Sequence, residues 1–250
     1  MGSSRRARAE VNGITGLTMG PERPGCWHSP PGKPTKNSER RVSCHYRPGV
    51  SVTTPDDQPR EGRLARLRGA PATSGLLVAL VTAFVASTLD PDLVERFAKV
   101  SARVRAGEVW RLFTASFLHG SLVHIAVNGF ALFTIGPTVE RLYGRVQFLL
   151  IFLLGGAAGF AASTLYVEQP SLGASAGLFA LLGVLLGFAV RERARIPRAA
   201  RRAMIQEILT VAGLNLALGL MVPFIDNAAH AGGFVGGLAL GLALQPRGPR

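Results

Sequence analysis

The sequence is poor in charged residues, in aromatic residues and in cysteine. Only 17% of its 250 residues are charged and 7% are aromatic, whereas 48% are hydrophobic, which is too apolar for an average soluble domain. Its two cysteines, Cys26 and Cys44, lie in a polar N-terminal part, so no disulfide framework is indicated. No apolar stretch follows the N-terminal arginines, and we therefore expect no cleavable signal peptide. These absences direct the search to membrane-spanning segments.

Positive charge is abundant, but its distribution is unfavourable for nucleic-acid binding. The formal net charge is +13, and much of it lies in the first 70 residues and in the segment RERARIPRAARR at 191–202. Basic stretches beside apolar segments are more often topology signals or contacts with anionic lipids than nucleic-acid sites. We therefore expect the lipid bilayer, and no nucleic acid, as a partner.

Residues 1–72 are rich in proline, glycine, serine and arginine and show little periodic apolar pattern. They predict a disordered basic tail, and residues 245–250 predict a second, short one. The long tail contains four potential zinc ligands: Cys26, His28, Cys44 and His45. Because neither the Cys-x-x-Cys nor the His-x-x-x-His spacing is present, a tail without a metal is the better interpretation.

Six apolar stretches between residues 73 and 244 predict an all-α membrane domain, a bundle of six transmembrane helices. They lie near 74–89, 113–136, 146–167, 172–190, 203–223 and 227–244. Most of them approach the roughly 20 residues that a spanning helix needs. The first stretch is short and the last is rich in glycine, features that are less typical of a span.

The loops between these stretches alternate between basic and uncharged. Residues 140–145 and 191–202 carry arginines, whereas residues 168–171 and 223–227 contain neither lysine nor arginine. Under the positive-inside rule both termini lie in the cytoplasm and the uncharged loops lie outside. Arginine outnumbers lysine 25 to 3, which is typical of a GC-rich bacterial genome. We therefore expect a multi-pass protein of the bacterial cytoplasmic (inner) membrane.

The loop at 90–112 departs from this pattern because it carries five basic and four acidic residues. Five of its apolar residues fall on one helical face: Leu93, Val94, Phe97, Val100 and Val104. This spacing predicts an amphipathic helix that lies along the outer membrane interface, between the first two spans.

Several polar residues fall in the outer parts of the predicted spans. Ser175, within the sequence GASAG, and His230 each begin a stretch that runs inward from the outside, which places them at matching depth. His119, His124 and Asn128 follow one another down the second stretch, the last two on one helix face. A lone serine in a membrane helix usually bonds a carbonyl of its own helix. Convergence of all these side chains at one level instead indicates a functional site.

The residue types at this level suit nucleophilic catalysis. A serine hydroxyl becomes a good nucleophile when a base takes its proton, and histidine is the usual base, so Ser175 and His230 form a candidate dyad. The side chains of His124 and Asn128 and the backbone N–H of Ser175 can donate to an oxyanion. Asp226 lies one turn before His230, but its position is better interpreted as a helix N-cap than as a third triad member.

A metal site built from these histidines is a poorer fit to the spacing. His119 and His124 are five residues apart rather than four, and no glutamate lies between them. We therefore predict neither a metal ion nor another cofactor.

Small residues recur at helical spacing in two of the stretches. They are Gly233, Gly237 and Gly241 in the last stretch, and Ala176, Ala180, Gly183 and Gly187 in the fourth. Such rows let membrane helices approach closely. Generic packing explains the rows by themselves, but a contact between these two helices would also bring Ser175 to His230.

Three segments together resemble the rhomboid intramembrane serine proteases. They are GEVWRLFTASFLHGSLVHIAVNGF at 107–130, GASAG, and NAAHAGG at 227–233. The similarity extends over residues 73–244, and the order of the motifs makes it specific, although each motif alone would be weak. The N-terminal tail has no counterpart in the family core.

The resemblance implies a six-helix bundle with a water-filled cavity that opens outward. It implies Ser175 as the nucleophile and His230 as the general base, with His124 and Asn128 helping to hold the oxyanion. Further matched positions would be structural and close to the site: Trp110, Arg111, His119, Gly173, Gly233 and Gly237. Glu140, at the inner end of the second helix, would be another structural position.

Two residues depart from the family pattern. Ala176 follows the serine, where the family commonly has glycine. Phe179 stands where many members have a tyrosine that stacks on the catalytic histidine. Phenylalanine keeps the ring face and loses the hydroxyl, so we expect altered efficiency at most.

We therefore expect a serine endopeptidase that cleaves transmembrane segments of other membrane proteins near their outer ends. A substrate helix must first unwind locally, because helical backbone groups are already paired internally. One alternative is a non-catalytic rhomboid-like protein that binds membrane clients, but such relatives usually lack the serine or the histidine, and both are present. A transporter would predict charged residues near the midplane or inverted repeats, and the sequence shows neither.

Overall fold

A computed structural model describes residue 67 and residues 69–247 of the chain. Within these residues there are nine α-helices: α1 (Pro71–Leu89), α2 (Asp92–Phe97), α3 (Ser101–Arg105), α4 (Arg111–Thr114), α5 (Leu122–Tyr143), α6 (Arg145–Tyr166), α7 (Ser175–Arg191), α8 (Arg198–Met221) and α9 (Asn227–Ala243). An isolated antiparallel bridge joins Lys99 to Ser171. The four potential zinc ligands, Cys26, His28, Cys44 and His45, lie outside the described residues, as does most of the predicted N-terminal tail.

The long helices identify a membrane protein. Four of them, α1, α5, α6 and α8, are long and apolar enough to cross a bilayer. The other two, α7 and α9, have 17 residues each. At 1.5 Å per residue this gives about 26 Å of helix. Each predicted apolar stretch overlaps one of these six long helices, and the predicted all-α membrane bundle is confirmed.

The start of the second stretch was predicted wrongly. The sequence pattern placed a continuous helix over 113–136, but α5 begins only at Leu122. Ser121 is extended and caps α5, because its hydroxyl accepts a hydrogen bond from His124 N at 3.2 Å. The preceding residues form α4 and a turn of 3-10 helix at Ala115–Phe117. His119 therefore lies in a loop before the helix and not inside the span.

The single amphipathic helix predicted in the 90–112 loop is also wrong. The loop contains two short helices, α2 and α3, and the chain between them is extended at Ala98 and Val100. This break lets the backbone of Lys99 exchange hydrogen bonds with Ser171, at 3.0 and 2.9 Å. The apolar residues that share a face of an ideal helix are thus divided between two elements, because pairing with a distant segment overrides the local pattern.

Helices α6, α7 and α9 form the core through contacts between small residues. A Cβ atom added to Gly233 or to Gly237 would meet a backbone carbonyl of α7, that of Ala176 or Ala180 respectively. The predicted contact between these two helices is therefore confirmed. Helix α6 joins them through Gly155 and Gly159, where an added Cβ would meet a methyl group of α7. Backbones approach so closely here because no larger side chain separates them.

The first helix is attached to the bundle by a buried carboxylate. Glu140, near the end of α5, accepts hydrogen bonds from the backbone N–H groups of Ala72 and Thr73 at 2.9 and 2.7 Å, and from the Thr73 hydroxyl at 2.8 Å. These donors belong to the first turn of α1, where amide groups lack partners within the helix. Glu140 thus replaces a cap, and α1 begins at Pro71, two residues before the predicted domain boundary.

Candidate active site

Ser175 is the first residue of α7, and the backbone before it is held on two sides. The Gly173 N–H donates to the carbonyl of Ala115 at 2.9 Å, and the Ala174 N–H donates to His119 Nε2 at 3.4 Å. The N–H groups of the first helical turn, including that of Ser175, have no carbonyl partner within the helix. The half-buried hydroxyl of Ser175 therefore lies beside backbone N–H groups that have no partner within the helix.

Gly173 allows two side chains of α5 to lie against the backbone that leads to Ser175. Its φ of +128° is unfavourable for any residue with a side chain. A Cβ atom at this position would lie 2.6 Å from His124 Nε2 and 3.7 Å from Asn128 Nδ2. The Asn128 amide nitrogen is buried and has no hydrogen-bond partner among the described residues. The structure thus brings His124 and Asn128 together beside the start of α7.

His119 supports this arrangement from the loop before α5. Its ring meets the ring of His124 edge to face, with centroids 5.0 Å apart. Burial, and to a lesser degree the nearby His124, lower the pKa of His119 to about 4. The ring is therefore neutral at pH 7, so that Nε2 can accept the N–H of Ala174. His119 also lines a cavity of about 790 Å³ between α1, α2 and the loop that ends at Ser121.

His230 lies in the first turn of α9 and packs against α7. Its ring stacks on that of Phe179, with centroids 4.3 Å apart and planes at 12°. Phe179 is one turn after Ser175, and the contact of Gly233 with Ala176 sets the two helices at the same level. His230 Nδ1 is buried without a partner, and in the described part of the chain no hydrogen bond joins its ring to the Ser175 hydroxyl. Serine and histidine thus lie on facing turns.

Asp226 caps α9, as predicted, and makes further contacts that the sequence did not indicate. Its Oδ1 accepts the N–H of Ala229 at 2.9 Å, which is the N-cap bond. Its Oδ2 accepts the hydroxyl of Ser171 at 2.5 Å and also the hydroxyl of Ser163, near the end of α6. Both carboxylate oxygens are therefore occupied away from His230 Nδ1. Ser163 and Ser171 belong to no sequence motif, so their pairing with Asp226 could not be inferred.

The loop between α1 and α5 is bound to the end of α6. Buried Lys99 donates through Nζ to the carbonyl of Val167 at 2.8 Å, and Ser101 donates to the same oxygen at 2.6 Å. Arg105 pairs with Glu168 at 2.7 Å on the surface. Burial lowers the pKa of Lys99, while the charges of Asp226 and Glu168 act in the opposite direction. These donors satisfy carbonyl groups that the end of a helix leaves unpaired.

Arg111 holds the same loop from within. Its guanidinium is buried and donates to the carbonyl groups of Glu95 and Ala98 at 2.9 and 2.7 Å. It also pairs with Glu108 at 2.6 Å. Trp110, directly before it, is half-exposed. Arg111 therefore fixes the break after α2, and this geometry fits a structural role close to the site.

Comparison with known proteins finds a matching family model and several curated relatives. The family model named Rhomboid domain matches residues 106–247, more than half of the chain. Rhomboid protease GluP of Bacillus subtilis (strain 168) is 39% identical over 158 residues, which cover 63% of this chain and 30% of GluP. RHOMBOID-like protein 9, chloroplastic, of Arabidopsis thaliana is 34% identical over 60% of this chain and 34% of its own length. RHOMBOID-like protein 6, mitochondrial, of the same plant is 35% identical over 58% of this chain and 47% of its own length. The chain thus spans less than half the length of these curated relatives.

Proposed function

This chain belongs to the rhomboid family, and from this premise we propose that it is an intramembrane serine endopeptidase that cleaves transmembrane segments of other proteins. The observation that carries the proposal is the contact between α7 and α9. It places Ser175 and His230 on facing turns, with Phe179 stacked on the histidine ring. The similarity to a protein named Rhomboid protease GluP supports the same reaction.

The proposed chemistry uses these groups in sequence. His230 takes the proton of the Ser175 hydroxyl, and the oxygen attacks the scissile carbonyl carbon to form a tetrahedral intermediate. His230 then gives the proton to the leaving amine, and a water molecule hydrolyses the acyl-enzyme by the same route. Catalytic hydrogen bonds are often absent before substrate binds, so the open Ser175–His230 pair is compatible with this role.

The oxyanion of the intermediate requires donors that are fixed before it forms. Asn128 supplies a buried amide nitrogen with no protein partner, beside the backbone of Gly173. His124 lies on the same side of that backbone, one helical turn away from Asn128, and the Ser175 N–H adds a backbone donor. Preorganised donors of this kind contribute a factor of about 100 to 1,000 each to kcat in other acyl-transfer enzymes.

We place the site near the external surface of the membrane. The loops at the Ser175 end of the bundle, 168–171 and 223–227, contain no lysine or arginine, whereas 191–202 at the other end contains six arginines. The positive-inside rule then puts both termini in the cytoplasm and makes each of the six long helices a span. In this orientation Ser175 and His230 cut a substrate helix near its outer end.

The two departures from the family pattern are compatible with this function. The side chain of Ala176 is fully buried, and its methyl group lies against Gly159 of α6, so α6 accommodates the added carbon. Phe179 presents a ring face to His230 without a hydroxyl. The ring stack needs only that face, so orientation of the histidine is retained.

Cleavage of a model transmembrane substrate by the purified full chain tests the proposal. We expect the wild type to cleave and both Ser175→Ala and His230→Ala to lose cleavage. Ser87→Ala is a matched control, because the Ser87 hydroxyl bonds only the Phe84 carbonyl of its own helix, and we expect it to cleave normally. Substrate that is bound by the wild type but never cut would support the non-catalytic alternative and overturn the proposal.

A further inference from the structure

We propose that Asp226 is a positioning residue that joins the two chain segments leading to Ser175 and His230, and so fixes the distance between these two residues. This inference rests on the proposed function for its consequence, but its geometry stands independently. Asp226 precedes His230 by four residues, and Ser171, whose hydroxyl it accepts, precedes Ser175 by four residues. One carboxylate thus connects the entry of α7 with the entry of α9.

The connection includes the third helix of the core. Ser163, near the end of α6, donates its hydroxyl to the same carboxylate oxygen as Ser171. Ser163 is completely buried and Ser171 nearly so, which keeps water from competing for these bonds. Hydrogen bonds to an ionised acceptor are stronger than neutral ones. Asp226 therefore joins α6, the loop before α7 and the start of α9 at one point.

Ser171 is held from its other side as well. Its backbone N–H and carbonyl exchange hydrogen bonds with Lys99, whose ammonium group is buried and attracted by the charge of Asp226. Ser171 is thus fixed by the backbone of the 90–112 loop and by a side chain of α9. The three residues between Ser171 and Ser175 therefore have little freedom to move relative to His230.

Simple helix capping does not require this arrangement. The N-cap role needs only the bond from the Ala229 N–H to Oδ1, and an unpaired Oδ2 would serve as well in water. Here Oδ2 instead accepts two serine hydroxyls, one from α6 and one from the loop before α7. The carboxylate makes no hydrogen bond to His230 Nδ1 or to the Ser175 hydroxyl, so we assign it a positioning role.

Position matters because nucleophile and base must meet in one geometry. A displacement of about 1 Å at a catalytic group can lower the rate about 100-fold. Loss of the bonds to Ser163 and Ser171 lets the loop and α9 shift independently. We therefore expect kcat to fall and KM to stay unchanged, because the bonds of Asp226 to Ser163 and Ser171 position the catalytic residues and do not bind the substrate.

The decisive variant is Ser163→Ala/Ser171→Ala in the full chain, which removes both cross-connections and leaves the cap of α9 intact. We expect kcat to fall at least about tenfold with KM within about twofold, since only alignment is lost. The matched control is Ser87→Ala/Thr164→Val, which deletes two hydroxyls that bond within their own helices. This control variant should keep the wild-type kcat and KM. Asp226→Ala should lower kcat more than the double variant does. Asp226→Asn should retain more of kcat than Asp226→Ala, because its amide can still bond both serines.

Hydrogen exchange supplies a readout that does not depend on catalysis. In the Ser163→Ala/Ser171→Ala protein we expect faster exchange in 171–177 and in 227–232 together, with α5 unchanged. Unchanged exchange in both segments and wild-type kcat in the double variant would overturn the inference while leaving the proposed function intact. If the wild type never cleaves but exchange in both segments is faster in the double variant, the proposed function would be overturned and the connection through Asp226 would be supported.

Discussion

Helices α7 and α8 are consecutive in the chain but differ sharply in burial. Thirteen of the 17 residues of α7 are buried, against three of the 24 residues of α8. Nevertheless α8 meets the length and hydropathy of a membrane span, whereas α7 is the shorter helix. Both helices are apolar, and α7 lacks only the length of a span, so apolar character does not separate them. The close contacts between small residues of α7 and α9 instead mark α7 as part of the protein core. The proposed catalytic residues lie on α7 and α9, where backbones touch.

The largest effect that this comparison predicts comes from a bulky residue in the core. Gly237→Leu would force a side chain into the backbone of Ala180, and we expect no folded protein. Gly213→Leu, on α8, meets nothing within 4 Å and should fold normally. The yield of monodisperse protein and its thermal unfolding measure the difference.

A milder pair of variants keeps this test informative. Gly237→Ala should destabilise the protein by about 2 kcal/mol through overpacking, whereas Gly213→Ala should be neutral or slightly stabilising. Equal unfolding temperatures for the two alanine variants would contradict the distinction between core and periphery.

A second prediction concerns the start of α7. Gly173→Ala combines an unfavourable φ with contact between the new methyl group and His124 Nε2, so we expect kcat to fall about 100-fold through displacement of the site. Gly107→Ala is the matched control, because Gly107 also has a positive φ, +106°, but open space around its Cβ position. Equal losses in both variants would assign the effect to backbone strain alone. Cleavage rates at saturating substrate measure kcat for both variants.

A third prediction concerns pH. The pKa of His119 is about 4 in the folded protein and 6.5 in the unfolded chain, so the unfolded state binds a proton first as pH falls. The stabilisation is complete above pH 6.5 and is lost progressively between pH 6.5 and 4. Between pH 7 and pH 5 we expect a loss of about 2 kcal/mol of unfolding free energy. His119→Gln should flatten this part of the profile, and a profile identical to that of the wild type would contradict the assignment.

The smallest effect is expected at the ring stack. Phe179→Leu removes the face on which His230 rests and should lower kcat up to about tenfold, since such pairs contribute about 1 kcal/mol. Phe188→Leu, at the other end of α7, changes an equally buried ring that is distant from His230 and should leave kcat unchanged. A greater loss at Phe188 than at Phe179 would show that packing of α7, and not the stack, controls activity.

Much of the fold was predictable because its signals are local. Apolar length located the long helices, the spacing of Gly233 and Gly237 predicted the contact between α7 and α9, and Asp226 was predicted as a cap from its position before α9. The break at Ala98 and the start of α5 at Leu122 were not predicted. Both depend on hydrogen bonds that compete with helix continuation. Lys99 and Ser171 exchange backbone hydrogen bonds, and the His124 N–H donates to the Ser121 hydroxyl.

The candidate site likewise combines residues that the sequence indicates with contacts that only the fold creates. His230, His124 and Asn128 were recognisable because histidine and asparagine are unusual in membrane helices, and Ser175 because it lies at their level within the GASAG motif. The contacts of Asp226 were not, because serines such as Ser163 are common in such helices and usually bond their own backbone. Only the folded structure brings Ser163 within reach of a carboxylate that lies 63 residues later in the chain.

The central claim is that contact between α7 and α9 makes Ser175 a nucleophile with His230 as its base. Mass spectrometry after reaction with a fluorophosphonate, which phosphonylates activated serines with loss of fluoride, tests it most directly. We expect one adduct, on Ser175, and its disappearance in His230→Ala, with normal labelling in the Ser87→Ala control. Labelling of another serine, or labelling of Ser175 that is unchanged in His230→Ala, would contradict the account.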